Sequence, residues 1–262
     1  MAGVSDPGMV RDRNEDAVVF EAMNGLAVLA DGMGGHKAGE VASAMAVDII
    51  SRSIKAALEP APVESTTQPP QRSETEIVAD AISQANTAIY ESARSRPEYG
   101  GMGTTVVVAL FHDNRLCIAH VGDSRLYRYR TQHLEQITED HSMVQELLRR
   151  GLLSADEART SVNKNLVTRA LGVEPQVQAD IAEESVRPGD VYLLCSDGLS
   201  DVLPDSDIEL LLRTFSANLE EAARQIVTEV NSKGGPDNVS VVLIRTGKRF
   251  VRQKPEAQHS SE

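Results

Sequence analysis

Tryptophan is absent from this chain of 262 residues, and aromatic side chains of all kinds make up only 3% of it. Stacking platforms for single-stranded nucleic acid need such rings, so that function is not expected. Basic residues are also in deficit. The 26 Lys and Arg stand against 39 Asp and Glu, for a net charge of -13, and such a surface repels phosphate backbones. No apolar run approaches the roughly 20 residues that span a bilayer. The first residues, Met1 to Asp6, lack the basic and apolar regions of a secretion signal, so a cytoplasmic protein is expected. Only two cysteines occur, Cys117 and Cys195, both in apolar runs. They read as buried reduced thiols.

What is present begins with a strand that opens into glycine. The apolar run 26–30 predicts a buried strand, and Asp31-Gly32-Met33-Gly34-Gly35-His36 follows it directly. Glycine leaves the backbone thin enough for close approach to an ion, so Asp31 reads as the hub of a metal centre on a stiff support. Further strands are predicted over 17–20, 104–111, 115–121, 126–129, 177–181, 191–195 and 239–244. Asn24-Gly25 and Asp113-Asn114 serve as hairpin turns. Helical spacing predicts helices over 39–58, 75–95, 205–214 and 219–231, with another opening at Asp140-His141-Ser142. Residues 5–9 read as a turn, 59–73 as a surface loop rich in Pro, Ser, Thr and Gln, and 151–172 as a polar, mobile lobe. Strand runs interrupted by helix pairs imply an antiparallel α+β layered domain over 1–246. The polar tail 247–262 has little to bury and is expected to be disordered.

Four acidic residues share one local pattern. Asp31, Asp123, Asp197 and Asp237 each sit beside glycine, or near a glycine pair, at a strand edge. Any one of them is an ordinary turn former. Together with Glu15-Asp16 they form a set that repels itself unless cations neutralise it. Oxygen ligands select hard ions such as Mg²⁺ or Mn²⁺ over Zn²⁺. Two such ions about 4 Å apart acidify a water and clamp the oxygens of an in-line displacement, which suits phosphate ester hydrolysis. Arg11 or Arg13 has the fork geometry for the phosphate. Rival chemistries lack their parts. Six positions beyond each cysteine stands Asp123 or Asp201, where a cysteine-dependent phosphatase needs Arg. The segment 100–105 has no P-loop lysine, and no Asp precedes any histidine by three.

The ordered set Arg11-x-x-Asn14-Glu15-Asp16, Ala30-Asp31-Gly32-Met33-Gly34-Gly35-His36, Gly103-Thr104-Thr105, His120-Val121-Gly122-Asp123-Ser124-Arg125, Ser196-Asp197-Gly198-Leu199 and Asp237-Asn238 resembles the metal-dependent Ser/Thr protein phosphatases of the PPM type (type 2C), in their compact bacterial form. The resemblance implies a four-layer αββα sandwich of two five-stranded antiparallel sheets flanked by helix pairs, with a binuclear Mn²⁺ or Mg²⁺ centre at one end. Asp31 would bridge both ions. Asp197 and Asp237 would complete one site and the Gly32 carbonyl the other, with Glu15 and Asp16 holding ligands or ordered water. Asp123 with Asp197 would form a third, weaker site. Arg11 would grip the phosphate, leaving Arg13 on the surface. His36 would act as general acid for the leaving alkoxide or as a hydrogen-bond partner beside the metals. The family's bacterial motif often has Gln at the place of Glu15. His120 and His141 read as structural, and 151–172 corresponds to the family's flap. The implied substrates are phosphorylated proteins, those of a Ser/Thr kinase and the kinase itself, acted on by a monomer without nucleic acid or membrane. A catalytically inactive phosphoprotein-binding module is the alternative.

Overall fold

Side-chain parity along the strands sorts the apolar residues into three cores, and these define the layers. The computed structural model describes residues 1–35, 37–59, 72–154, 157 and 166–247. In chain order its strands are β1 (Ala2–Asp6), β2 (Asp16–Glu21), β3 (Leu26–Met33), β4 (Gly103–Thr104), β5 (Val106–His112), β6 (Arg115–Val121), β7 (Arg125–Arg130), β8 (His133–Gln136), β9 (Asp180–Ser185), β10 (Val191–Cys195) and β11 (Val239–Arg245). Its helices are α1 (Ala38–Leu58), α2 (Glu74–Ser95), α3 (Met143–Arg149), α4 (Asp197–Ser200), α5 (Asp205–Phe215) and α6 (Leu219–Ser232). One sheet runs β1-β11-β10-β7-β8 and the other β2-β3-β5-β6-β9, with β4 paired to β3. The pairings within both are antiparallel.

In β3, Leu26, Val28 and Ala30 face α1 and α2, and Val106, Val108 and Leu110 of β5 do the same. The alternate residues Ala27, Leu29, Val107 and Ala109 face the other sheet, meeting Tyr192, Leu194, Val242 and Ile244. On the far side Val191, Leu193, Val241 and Leu243 pack under α5 and α6 through Leu212, Ala223 and Ile226. Helix pair, sheet, sheet, helix pair is the four-layer sandwich expected. Each large apolar side chain so buried contributes about 1.5–3 kcal/mol. The same parity carries on to the sheet ends. Asp31 continues the inward row of Ala27 and Leu29, while Asp16 lies opposite it in the β2–β3 register.

The predicted helices stand within a residue or two of their expected ends, and the Asp113-Asn114 turn has the positive φ of 42° and 59° that such a hairpin needs. Three differences are corrections. The turn expected over 5–9 is preceded by strand β1, whose pairing partner β11 lies at the other end of the chain. Strand β8 went unread because its hairpin turns through Thr131-Gln132, at φ 50° and 64°, without glycine or asparagine. The strand expected at 177–181 lies at Asp180–Ser185, where the edge register against β6, not hydrophobicity, sets its extent. At Asp140-His141-Ser142 the cap is Ser142, whose Oγ accepts Gln145 N–H at 3.2 Å. His36, residues 60–71 of the loop, 155–156 and 158–165 of the lobe, and 248–262 of the tail lie outside the described residues.

Candidate metal centre

The inward row at one end of the inter-layer core changes from apolar to acidic. Asp16 and Asp31 face one another across β2 and β3, where like charges directly opposed are destabilising. Asp197 starts α4 immediately after β10, and Asp237 precedes β11, the neighbour of β10. Asp123 sits in the β6–β7 turn. The structure therefore brings together Asp16, Asp31, Asp123 and Asp197, with Asp237 and Glu15 at their margin.

Electrostatics record that convergence. Burial first, then the charges of Asp16, Asp197 and Asp123, hold the Asp31 carboxyl well above the ordinary carboxylate range. Burial, followed by Asp123, Asp237 and Asp201, pushes Asp197 up to about 8. Asp16 rises to about 6 by burial, against the hydrogen bonds it accepts. Asp123 rises to about 6 by burial and by Asp140. One oxygen of Asp16, Oδ1, is buried with no hydrogen-bond partner. Buried carboxylates without donors mark a place where a cation belongs.

Local hydrogen bonds fix the backbone around the cluster and one oxygen of Asp16. Asp31 N–H donates to Thr105 Oγ1 (3.1 Å), and its carbonyl accepts Thr105 N–H (2.9 Å) and Thr104 Oγ1–H (2.8 Å). Ser196 Oγ donates to Asp16 Oδ2 at 2.8 Å while accepting Ser240 N–H at 3.0 Å, which ties the two sheets together beside the cluster. Asn238 uses every polar atom of its side chain. Its Nδ2 donates to the carbonyls of Pro7 (3.0 Å) and Arg13 (2.8 Å), and its Oδ1 accepts Glu15 N–H (2.8 Å). Glu15 in turn receives Gly32 N–H at 3.1 Å and Ser43 Oγ–H at 2.6 Å on its carbonyl. A Cβ on Gly32 would collide with the Gly39 carbonyl, and one on Gly198 with the Asn238 carbonyl. At both places glycine allows backbones to touch beside the site.

The two candidate arginines separate. Arg11 Nη2 lies 2.7 Å from Asp237 Oδ2, at the edge of the cluster, whereas Arg13 points to Glu40 at 3.6 Å. Two supporting residues, Ser43 and Ser240, carry no signal in the sequence, and Ser196 and Asp140 stand in segments whose pattern does not show their partners. Asp140, in the segment where a helix opens, receives a bidentate bond from Arg125 (Nε 2.9 Å to Oδ1, Nη2 2.7 Å to Oδ2). No local pattern announces these partners, because their counterparts are remote in sequence.

A protein-family model described as Protein phosphatase 2C matches residues 10–231. The serine/threonine phosphatase stp of Listeria monocytogenes is 40% identical over 244 residues, covering 92% of this chain and 93% of that protein. The Mycobacterium tuberculosis phosphatase PstP/Ppp superposes with a TM-score of 0.83 at 36% identity, covering 94% and 97% of the two chains. A structure of the PstP catalytic domain in complex with two manganese ions superposes at 0.79, with 38% identity over 92% and 95%. The chain belongs to the protein phosphatase 2C family.

Proposed function

We propose that two hard cations would be held here, with Asp31 shared between them, Asp197 and Asp237 completing one site and the Gly32 carbonyl the other. In this reading Glu15 and Asp16 hold ligands or ordered water, and Asp123 with Asp197 forms a third, weaker site. The protein is a metal-dependent serine/threonine phosphatase, and its substrates are phosphoproteins. The observation that carries the site assignment is the group of buried, mutually repelling carboxylates, one of them with an orphaned oxygen.

When bound, Mn²⁺ or Mg²⁺ supplies an acidified water and neutralises phosphate charge. The residues of the chain do the rest. Arg11, half exposed beside Asp237, reaches outward to the phosphate oxygens and sets the ester in line. The paired strands and the Thr104–Thr105 bonds hold Asp31 rigidly, so little reorganisation accompanies reaction. His36 protonates the departing serine or threonine alkoxide or orients a neighbour of the metals. The catalytic unit spans 1–246, with 151–172 as its flap. It works as a cytoplasmic monomer on the targets of a Ser/Thr kinase and on the kinase itself. Among the described residues no helix is long and apolar enough to cross a membrane.

Manganese-dependent phosphate release from a phosphothreonine peptide and from p-nitrophenyl phosphate tests this. Activity should vanish in EDTA and return with Mn²⁺. Activity that survives chelation would refute the metal assignment, and binding of the phosphopeptide without turnover under any metal would indicate a binding module.

A further inference from the structure

Behind Asp123 lies a group of side chains that the phosphatase chemistry leaves unused. His120, His141 and Asp180 place ligand atoms within 4.8 Å of one another, and the two imidazoles stack at 4.6 Å. The spacing suggests a cation site, but the hydrogen bonds exclude one in this arrangement. Gly122 N–H, which can only donate, points at His141 Nδ1 from 3.1 Å. The neutral ring that accepts this bond carries its proton on Nε2, leaving that atom no lone pair for a metal, and Arg169 Nη1, 3.2 Å from Nε2, then gives its hydrogen to Asp180 and not to the ring. The ring Nε2–H faces Asp180 Oδ2 at 3.4 Å. The positive charge the carboxylate calls for is already present, because Arg169 Nη1 donates to Asp180 Oδ1 at 2.7 Å.

The same tautomer gives His141 a different task. Its ring accepts Gly122 N–H, and its own backbone N–H donates to the Gly122 carbonyl at 2.9 Å. Gly122 is thus gripped on both polar atoms by one buried residue. The turn it holds is a demanding one. Gly122 has φ +105°, and a Cβ there would come within 2.6 Å of Thr105. The next residue is Asp123, buried, with Ser124 Oγ fastened to Thr105 Oγ1 at 2.7 Å on the other side. His141 O also accepts Thr168 N–H at 2.7 Å, so the chain leaving the 151–172 lobe is anchored on the same residue.

We infer that His141 is a positioning residue: oriented by Asp180, it clamps Gly122 and so holds the Asp123 carboxylate in place for the third cation. The inference rests on the assignment of Asp123 as a metal ligand. Groups bonded directly to a ligand govern metal affinity about 10- to 100-fold, and His141, bonded to the residue before Asp123, is placed at the low end of that range.

The test compares His141→Ala with His141→Asn, whose side-chain oxygen sits near the position of Nδ1 and can accept Gly122 N–H. Two readouts are taken: hydrogen exchange at the Gly122 amide in metal-free protein, and the Mn²⁺ concentration giving half-maximal phosphopeptide turnover. His141→Ala should lose protection at Gly122 and need about tenfold more Mn²⁺; His141→Asn should keep protection and stay within about twofold of the parent. Asp180→Ala, at a half-exposed position, should move both readouts the same way by less, and it carries the test if His141→Ala does not fold. Unchanged Gly122 exchange in His141→Ala, or His141→Asn behaving as His141→Ala does, would overturn the clamp. Asp123→Asn separates the two layers of the argument. If it leaves the Mn²⁺ requirement unchanged, the ligand assignment falls and the clamp's metal role with it, whatever Gly122 exchange reports.

Discussion

Two groups of buried carboxylates in this molecule are built on opposite terms. Asp190, 3% exposed, has its charge answered within the fold. Arg130 donates to both its oxygens at 2.8 and 2.6 Å, and Arg187 N–H adds a third bond at 2.7 Å. Burial acts to raise its carboxyl, but these donors outweigh burial and hold it below the ordinary range. At the other end of the inter-sheet core, Asp16, Asp31 and Asp197 are raised first by burial, Asp31 then by the charges of Asp16, Asp197 and Asp123, Asp197 by those of Asp123 and Asp237, and Asp16 by that of Asp237. Asp16 is bonded by the hydroxyls of Ser196 and Ser240, and no arginine reaches Asp31 among the bonds described. Arg125 is near enough to Asp123 to lower its carboxyl slightly, yet its guanidinium is committed to Asp140. The difference is instructive: the fold answers Asp190 with arginine, and it leaves the other group with burial and repulsion that the proposed cations would relieve.

Substitutions at the two groups should therefore separate activity from stability. Asp31→Asn removes the proposed shared ligand, so phosphopeptide turnover in Mn²⁺ should fall on the order of 10³-fold with the circular dichroism spectrum unchanged. A mild loss would place the bridge elsewhere. Asp190→Asn should do the reverse, costing about 1–3 kcal/mol in denaturant unfolding because Arg130 loses its counter-charge and keeps only the Ser185 carbonyl and the new amide oxygen, while turnover per folded molecule stays near that of the parent. If both substitutions affected activity alike, the contrast between the groups would fail.

The pH dependence of the metal-free protein sharpens the contrast. Asp197 titrates near 8 in the fold against an ordinary 3.8, so its carboxyl favours the folded state fully below about pH 4. That contribution is lost as pH climbs through 8. In EDTA the melting temperature should accordingly fall between pH 5 and pH 8.5, and Asp197→Asn should flatten the decline while abolishing turnover. Mn²⁺ should restore the loss at pH 8.5. A metal-free protein equally stable at both values would mean that the carboxylates do not repel as described. The smallest effect concerns the arginines. Arg11→Ala should raise KM for a phosphopeptide several-fold, and Arg13→Ala, facing Glu40, should leave it within about twofold.

Much of this was legible in the chain. A strand running into Asp31-Gly32 and three more aspartates at strand ends announce a cation centre, because alternation and glycine punctuation are local signals. Where Asp16 points is a matter of register, and Asp31 opposite it supplies that register only in the fold. Strand β1, with Ala2, Gly3 and Val4 as its apolar content, is recognisable only beside β11. Asp140-His141-Ser142 is legible as a helix opening, with Ser142 as its cap; the pairing of Asp140 with Arg125 across a hairpin has no sequence signature. His141 looked structural. Its importance lies in which ring nitrogen faces Gly122, a fact of geometry alone.

The most direct test is calorimetric titration of the metal-free protein with Mn²⁺ near pH 7, repeated in buffers of different ionisation heat. Carboxyls held protonated by mutual repulsion must give up those protons to bind a cation. Saturable binding with proton release is predicted; absence of saturable binding up to millimolar Mn²⁺ would contradict the account.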